Sequence, residues 1–197
     1  VNKQGETILD QRQVSPDELS DVIASNPSLR GIILGYLAEV KLRKMWFDRP
    51  EVTKWFKRDD HDRMRKGDLV IVYKGKQFIT ECKSLQTNTV KKNEVGVWTG
   101  KVQCDASDRR EVKLPNGKQI ETTCLVVGEF DLLAVNLFAF ENKWRFIFAK
   151  NNDLPRSQFR KYRPSERKFL LSTLIDVTWL PVPPFRDEPF SLLDEMV

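Results

Sequence analysis

The sequence predicts a mixed α/β (α+β) chain: a central mixed sheet flanked by helices, with an inserted β-hairpin subdomain. Three observations predict it. Residues 67–83 read G-D-L-V-I-V-Y-K-G-K-Q-F-I-T-E-C-K, two runs rich in Val, Ile, Tyr and Phe around Lys74-Gly75, a two-residue hairpin turn. Behind a cap at Asn26-Pro27, apolar residues recur at helical spacing to about Trp46. Phe130–Phe140 and Trp144–Lys150 form a second hairpin around Glu141-Asn142-Lys143, apolar on both faces as in central strands buried by helices.

At 197 residues the chain is read as one domain, with a core at about 27–86 and 128–180, a β insertion at about 87–127 and a Pro-rich tail at 181–197. A hydrophobic share of 40% and a charged share of 31% suit a soluble globular protein. The net charge of +5 favours a polyanionic partner without requiring one. No apolar run approaches the roughly 18–20 residues of a membrane span, and V-N-K-Q-G-E-T is no signal-peptide core, so a cytoplasmic protein without a membrane partner is expected. The start at Val1 rather than Met leaves open a longer parent chain with a separate recognition domain.

Cys82, Cys104 and Cys124 are odd in number and never spaced C-x-x-C, which argues against a disulfide framework or zinc cluster and for a reducing compartment. A single histidine, His61, nearly excludes His-rich metallohydrolases. G-x-S-x-G, Walker A and G-x-G-x-x-G are all missing. What remains is carboxylate chemistry.

In chain order, Ser15-Pro16-Asp17-Glu18 reads as a capping box opening a helix to about Ala24. The longer helix that follows carries Ile32, Tyr36, Glu39, Leu42 and Trp46 on one stripe. A carboxylate on such a stripe takes up a proton or finds a partner. Glu39 therefore either pairs with Arg43 four residues on or serves a nearby metal. Asp48-Arg49-Pro50-Glu51 predicts a third short helix to about Phe56. Residues 57–66 form a loop of mixed charge that delivers Arg63, Arg65 and Lys66 next to Asp68, where cations can hold phosphates. His61, in the same loop, reads as a surface residue or a base.

Strands are expected at about Val95–Cys104, Arg109–Leu114 and Lys118–Val127, with Pro115-Asn116-Gly117 as a turn. This subdomain, with Lys91, Lys92, Arg109 and Arg110, either reaches into a DNA groove, covers the site or merely extends the sheet. Residues 151–163 are read as a basic loop, Ser165 opens a helix to about Ser172, Leu174–Trp179 is a last strand, and the tail docks loosely if at all.

The candidate site lies on the first hairpin. If Lys74-Gly75 is the turn, Leu69 faces Thr80 and Asp68 faces Glu81, with Lys83 on the same face. Facing carboxylates stand roughly 5 Å apart at Cβ and repel. A hard divalent cation relieves this, since Mg²⁺ favours one or two carboxylates plus waters and phosphate oxygens. Asp131 with Glu141-Asn142-Lys143 spells a similar pattern. Glu141 is at a hairpin tip, however, about 33 Å of strand from Asp131 at ~3.3 Å per residue.

A helix carboxylate, Asp68 opening a strand, and Glu81-Cys82-Lys83 on the next strand together resemble the PD-(D/E)xK nuclease superfamily. That family includes restriction endonucleases and DNA-repair nucleases. The resemblance covers roughly residues 27–86 and, more loosely, the strands at 130–150. It implies a restriction-endonuclease-like fold and a metal-dependent endonuclease acting on double-stranded DNA, in restriction-modification or phage defence. It also implies Asp68 and Glu81 as ligands of Mg²⁺, with Mn²⁺ as a substitute. Lys83 would orient or activate the attacking water, with a lowered pKa beside the metal; Glu39 would be the helix carboxylate and Gln86 a weaker contact. Gly67 stands where the family name has Pro. A double-strand cut with one site per chain implies a homodimer. A repair nuclease, a junction resolvase, an RNase and a DNA-binding module without chemistry are the alternatives.

Overall fold

The computed structural model describes residues 5–57 and 67–197. The chain divides into two units, Val1–Leu37 and Ala38–Val197. The first holds α1 (Ile8–Arg12) and α2 (Pro16–Ser25), each opened by a capping box, Thr7 with Asp10 and Ser15 with Glu18. It also holds most of α3 (Pro27–Leu42), which crosses the boundary and continues as a π-helical turn, Arg43–Phe47. On α3 the buried positions are Ala38 and Leu42. Two residues of the expected inward stripe are instead solvent-facing, Ile32 at 58% and Tyr36 at 47% exposure, because the burying contacts begin only at Ala38.

The second unit opens with β1 (Val52–Lys57), where a third helix was expected. Asp48 does not start a helix; its carboxylate binds Arg43 of the preceding turn at 2.6 Å. The β-branched and aromatic run V-T-K-W-F-K then pairs antiparallel with β2 (Leu69–Tyr73). β2 turns into β3 (Lys76–Ser84) with the predicted register, Leu69 opposite Thr80 through Tyr73 opposite Lys76. Lys74 and Gly75 take φ of 48° and 79°, the two positive values a type I′ turn needs.

β4 (Lys91–Lys92), β5 (Trp98–Gln103), β6 (Asp105–Lys113) and β7 (Gln119–Cys124) follow, then β8 (Leu132–Asn136), α4 (Phe138–Glu141) and β9 (Phe146–Lys150). The central sheet runs β1-β2-β3-β8-β9, with β3 and β8 parallel and the other pairs antiparallel. β8 alternates its side chains between two cores. Leu132 and Ala134 pack with Leu42, Phe47, Leu192 and Leu193 on the helical side. Leu133 and Val135 pack with Val102, Ile175 and Val177 on the other. That second face is covered by a small sheet, in which β10 (Leu174–Trp179) and β4 flank β5. β6 and β7 form a separate hairpin with its own cluster around Leu114 and Leu170.

Two further expectations are corrected. α5 (Pro164–Arg167) ends before Ser172, because Leu170 and Leu171 are fully buried and bridge in extended form to Val126 and Arg156. The tail does not hang loosely. It bridges β9 through Arg186 opposite Phe148 and ends in α6 (Phe190–Asp194), whose Leu192 and Leu193 are buried.

Candidate metal and phosphodiester site

Gly67 begins the site. Its φ is +94°, which proline, locked near −65°, cannot adopt. Its N–H donates to Glu81 Oε2 at 2.9 Å, a donor that proline lacks. Proline is therefore disfavoured at this position for two physical reasons. A Cβ here would also lie 2.1 Å from Ile79 Cγ2, a stiff β-branched side chain. Gly67→Ala is expected to cost at least about 2 kcal/mol of stability, read from urea denaturation. A cost below about 0.5 kcal/mol would show that the site tolerates a side chain there.

Asp68 follows directly, half-buried, its Oδ2 accepting the Cys82 N–H at 2.7 Å. Glu81, buried on β3, holds Lys83 through Oε1 at 2.9 Å while Oε2 takes the Gly67 N–H. Asp68 lies just outside the last ladder pair, Leu69–Thr80; its N–H donates to the Thr80 carbonyl at 2.9 Å, and it stands near enough to Glu81 to feel its charge. Burial first, and then the charge of Glu81, push the Asp68 carboxyl up to about 7; the Cys82 hydrogen bond and Lys83 oppose this, and Glu39 adds to it. For Lys83, burial works against the ammonium, but the charge and hydrogen bond of Glu81 outweigh it, so the net shift is upward. That upward shift comes chiefly from the carboxylates; the downward shift read from the sequence concerns Lys83 beside a bound cation.

Glu39 is near enough to raise Asp68, and its carboxylate pairs with Lys57 of β1 at 2.9 Å. Its expected partner Arg43 is bound to Asp48. Cys82 alternates away from Glu81 and Lys83 and packs against the helical-side core. Among the described residues no group of three or more His, Cys, Asp or Glu closes into a metal cage. The donor set is the Asp68–Glu81 pair, which fits Mg²⁺, a cation bound through one or two carboxylates with waters and phosphate oxygens completing its shell.

The other candidates lie elsewhere or are otherwise engaged. Arg110 grips Glu129 with both terminal nitrogens at 2.5 and 2.6 Å and also donates to the Cys124 carbonyl, a structural bond rather than a free cation. Gln86 donates its side-chain amide to Gln103 and its N–H to the Lys101 carbonyl, tying β3 to the second sheet. Lys91 and Lys92 are exposed on the edge strand β4, and Arg109 is exposed on β6. Arg63, Arg65, Lys66 and His61 lie outside the described residues. Of the basic loop, Arg156 is spent on the Leu154 and Asn152 carbonyls. Asp131 accepts the Ile79 N–H at 2.7 Å and Glu141 pairs with Arg145, so the second D…E-x-K pattern is structural.

The sequence reading missed Lys57 and the Gly67 N–H. The first was hidden because Lys57 was read as opening the mixed-charge loop and not as ending a strand; the second is a backbone donor that residue letters do not announce.

No family model and no curated protein matches the chain. One solved structure, described as that of a bacterial homing endonuclease (I-Ssp6803I), overlays 73% of this chain and 87% of its own at 17% identity. Its TM-score of 0.33 is too low for that overlay to bear on fold or function.

Proposed function

We propose that this chain is a Mg²⁺-dependent endonuclease that hydrolyses DNA phosphodiester bonds. One observation carries the reading: two acidic side chains close together at the open end of the hairpin, with a lysine bound to one of them. Such a pair repels itself unless a cation or a proton intervenes. Asp68 and Glu81 would hold Mg²⁺, with Glu39 at the edge of the site. Bound there, the ion supplies charge relief to the phosphoryl oxygens and makes water a better nucleophile at neutral pH.

The chain's own groups do the rest. The Gly67 and Cys82 N–H groups fix the two carboxylates by one oxygen each, which sets the direction of the other Asp68 oxygen and leaves Glu81 Oε1 against Lys83 before any ligand arrives. Lys83, held by Glu81 at 2.9 Å, is placed to donate to water or to a phosphoryl oxygen. Restriction or phage defence as the setting, and a homodimer as the working form, are proposals supported by the resemblance and by the need for two sites to cut two strands.

The test is cleavage of supercoiled plasmid, single-stranded DNA and RNA in Mg²⁺, Mn²⁺ and EDTA, with Lys83→Ala beside the wild type. Metal-dependent cutting of DNA, whether plasmid or single strand, that Lys83→Ala lowers by about 10²-fold or more is expected. Cutting of RNA alone would move the substrate class. Metal-independent cutting, or none on any substrate, would overturn the reading.

A further inference from the structure

β1 is the outermost strand of the central sheet, and five consecutive residues of it, Thr53 to Lys57, are exposed. The run contains two lysines and two aromatics and no acid. Its register divides these side chains between the two faces. Lys54 stands opposite Val72 and Phe56 opposite Val70, on the face that carries Asp68. Trp55 stands opposite Ile71, on the helical side.

The two aromatics are equally exposed, Trp55 at 40% and Phe56 at 38%, but they are not equally available. The Trp55 ring is covered by the Arg43 guanidinium at 4.3 Å, and that guanidinium is itself paired with Asp48. Among the described residues, the cation over Phe56 is the Lys54 ammonium at a longer 5.9 Å, on a flexible stem free to swing away. Phe56 is also the diagonal cross-strand neighbour of Asp68, at a separation of roughly 7–8 Å, within reach of an aromatic side chain. Lys54 lies one side-chain repeat further along the same face, about 7 Å on.

A nucleotide chain with its phosphate at the carboxylates would therefore find an aromatic face, then a cation, in line along β1. Alternating stacking surface and phosphate contact is the chemistry that recognises single-stranded nucleic acid. A base inside a duplex has no free face to offer. We infer that Phe56 stacks on an unpaired base next to the scissile phosphate and that Lys54 holds the following phosphate, so the site takes a locally unpaired strand. This rests on the nuclease reading of Asp68, Glu81 and Lys83, and deepens it.

The alternation of the strand supplies the control. In an Asp68→Asn background, which leaves DNA uncut, fluorescence anisotropy would measure binding of a short single-stranded DNA and of its duplex. Phe56→Leu and Trp55→Leu would be compared. Phe56→Leu is expected to weaken single-strand binding about 10-fold, the effect of one lost stacking contact, with duplex binding changed less than about 2-fold. Trp55→Leu is expected to change neither by more than about 2-fold. A 2-aminopurine at the stacked position should lose its quenching only in Phe56→Leu.

Equal losses in both variants, equal losses on duplex and single strand, or no loss in Phe56→Leu would each overturn the inference. If wild-type cleavage meanwhile persists in Mg²⁺, the inference fails alone. If the wild type neither cuts nor binds any DNA, the nuclease reading fails with it.

Discussion

Replacing Asp68 by Asn is expected to abolish cleavage and, in the same molecule, to make the metal-free protein more stable at pH 8. Loss of a ligand and of its charge removes several kcal/mol of transition-state stabilisation, about 10³-fold or more in rate. The stability gain follows from the raised carboxyl, pushed up to about 7 chiefly by burial and by Glu81. A carboxyl raised in the folded state contributes stability that is fully present below about pH 4. That contribution is lost as pH rises through about 7 and stays lost above it. A shift of about three units bounds the loss at about 4 kcal/mol. Asn keeps an acceptor for the Cys82 N–H but cannot ionise, so a net gain of about 1–3 kcal/mol at pH 8 remains after its weaker hydrogen bond is counted. Urea denaturation in EDTA at pH 4 and pH 8 checks this. The difference between wild type and variant should open with pH; a variant less stable at pH 8 would contradict the assigned electrostatics.

The second large effect concerns the tail. Leu193 is fully buried on α6, beside Leu192, Leu42, Phe47 and Phe148 in the helical-side core. A five-residue helix is not stable by itself, so packing holds it. Polar bonds pin its end: the Tyr73 hydroxyl donates to Asp194 at 2.8 Å, and Lys74 pairs with the same carboxylate at 2.6 Å. Leu193→Ala should cost about 2–5 kcal/mol, a large part of a typical domain's stability. Val182→Ala, at a 56% exposed position of the same tail, should cost less than about 0.5 kcal/mol. Urea midpoints decide between them, and a Leu193→Ala cost below about 1 kcal/mol would mean that the tail does not complete the core.

How much of this was legible depended on whether the deciding contact was local. The first hairpin could be read residue by residue, because a two-residue turn fixes the register and strict alternation fixes the face. Both are properties of adjacent letters. Asp68, Glu81 and Lys83 came with it. β1 was misread because Asp48-Arg49-Pro50-Glu51 has the form of a helix start; the side chain that would have capped it is taken by Arg43 from the preceding turn. That error put Phe56 at the end of a helix and Lys57 in a loop, when both belong to β1. Arg110 looked like a free cation because its partner Glu129 is distant in sequence. The tail looked loose because its prolines mark a break, whereas its anchors on Tyr73, Lys74 and Lys150 lie far back in the chain. The cover over the second face was equally non-local, since β5 and β10 are separated by most of the C-terminal half.

The claim that Asp68 and Glu81 form a cation site is tested most directly by thermal denaturation at pH 8 with millimolar Mg²⁺ or EDTA, on wild type and Asp68→Asn. A ligand that binds only the folded state raises the melting temperature, by about 2–4 °C per kcal/mol for a chain of this size. The wild type should melt several degrees higher in Mg²⁺, and Asp68→Asn should show little or no rise. No shift in the wild type, or the same shift in both proteins, would contradict a metal site at these carboxylates.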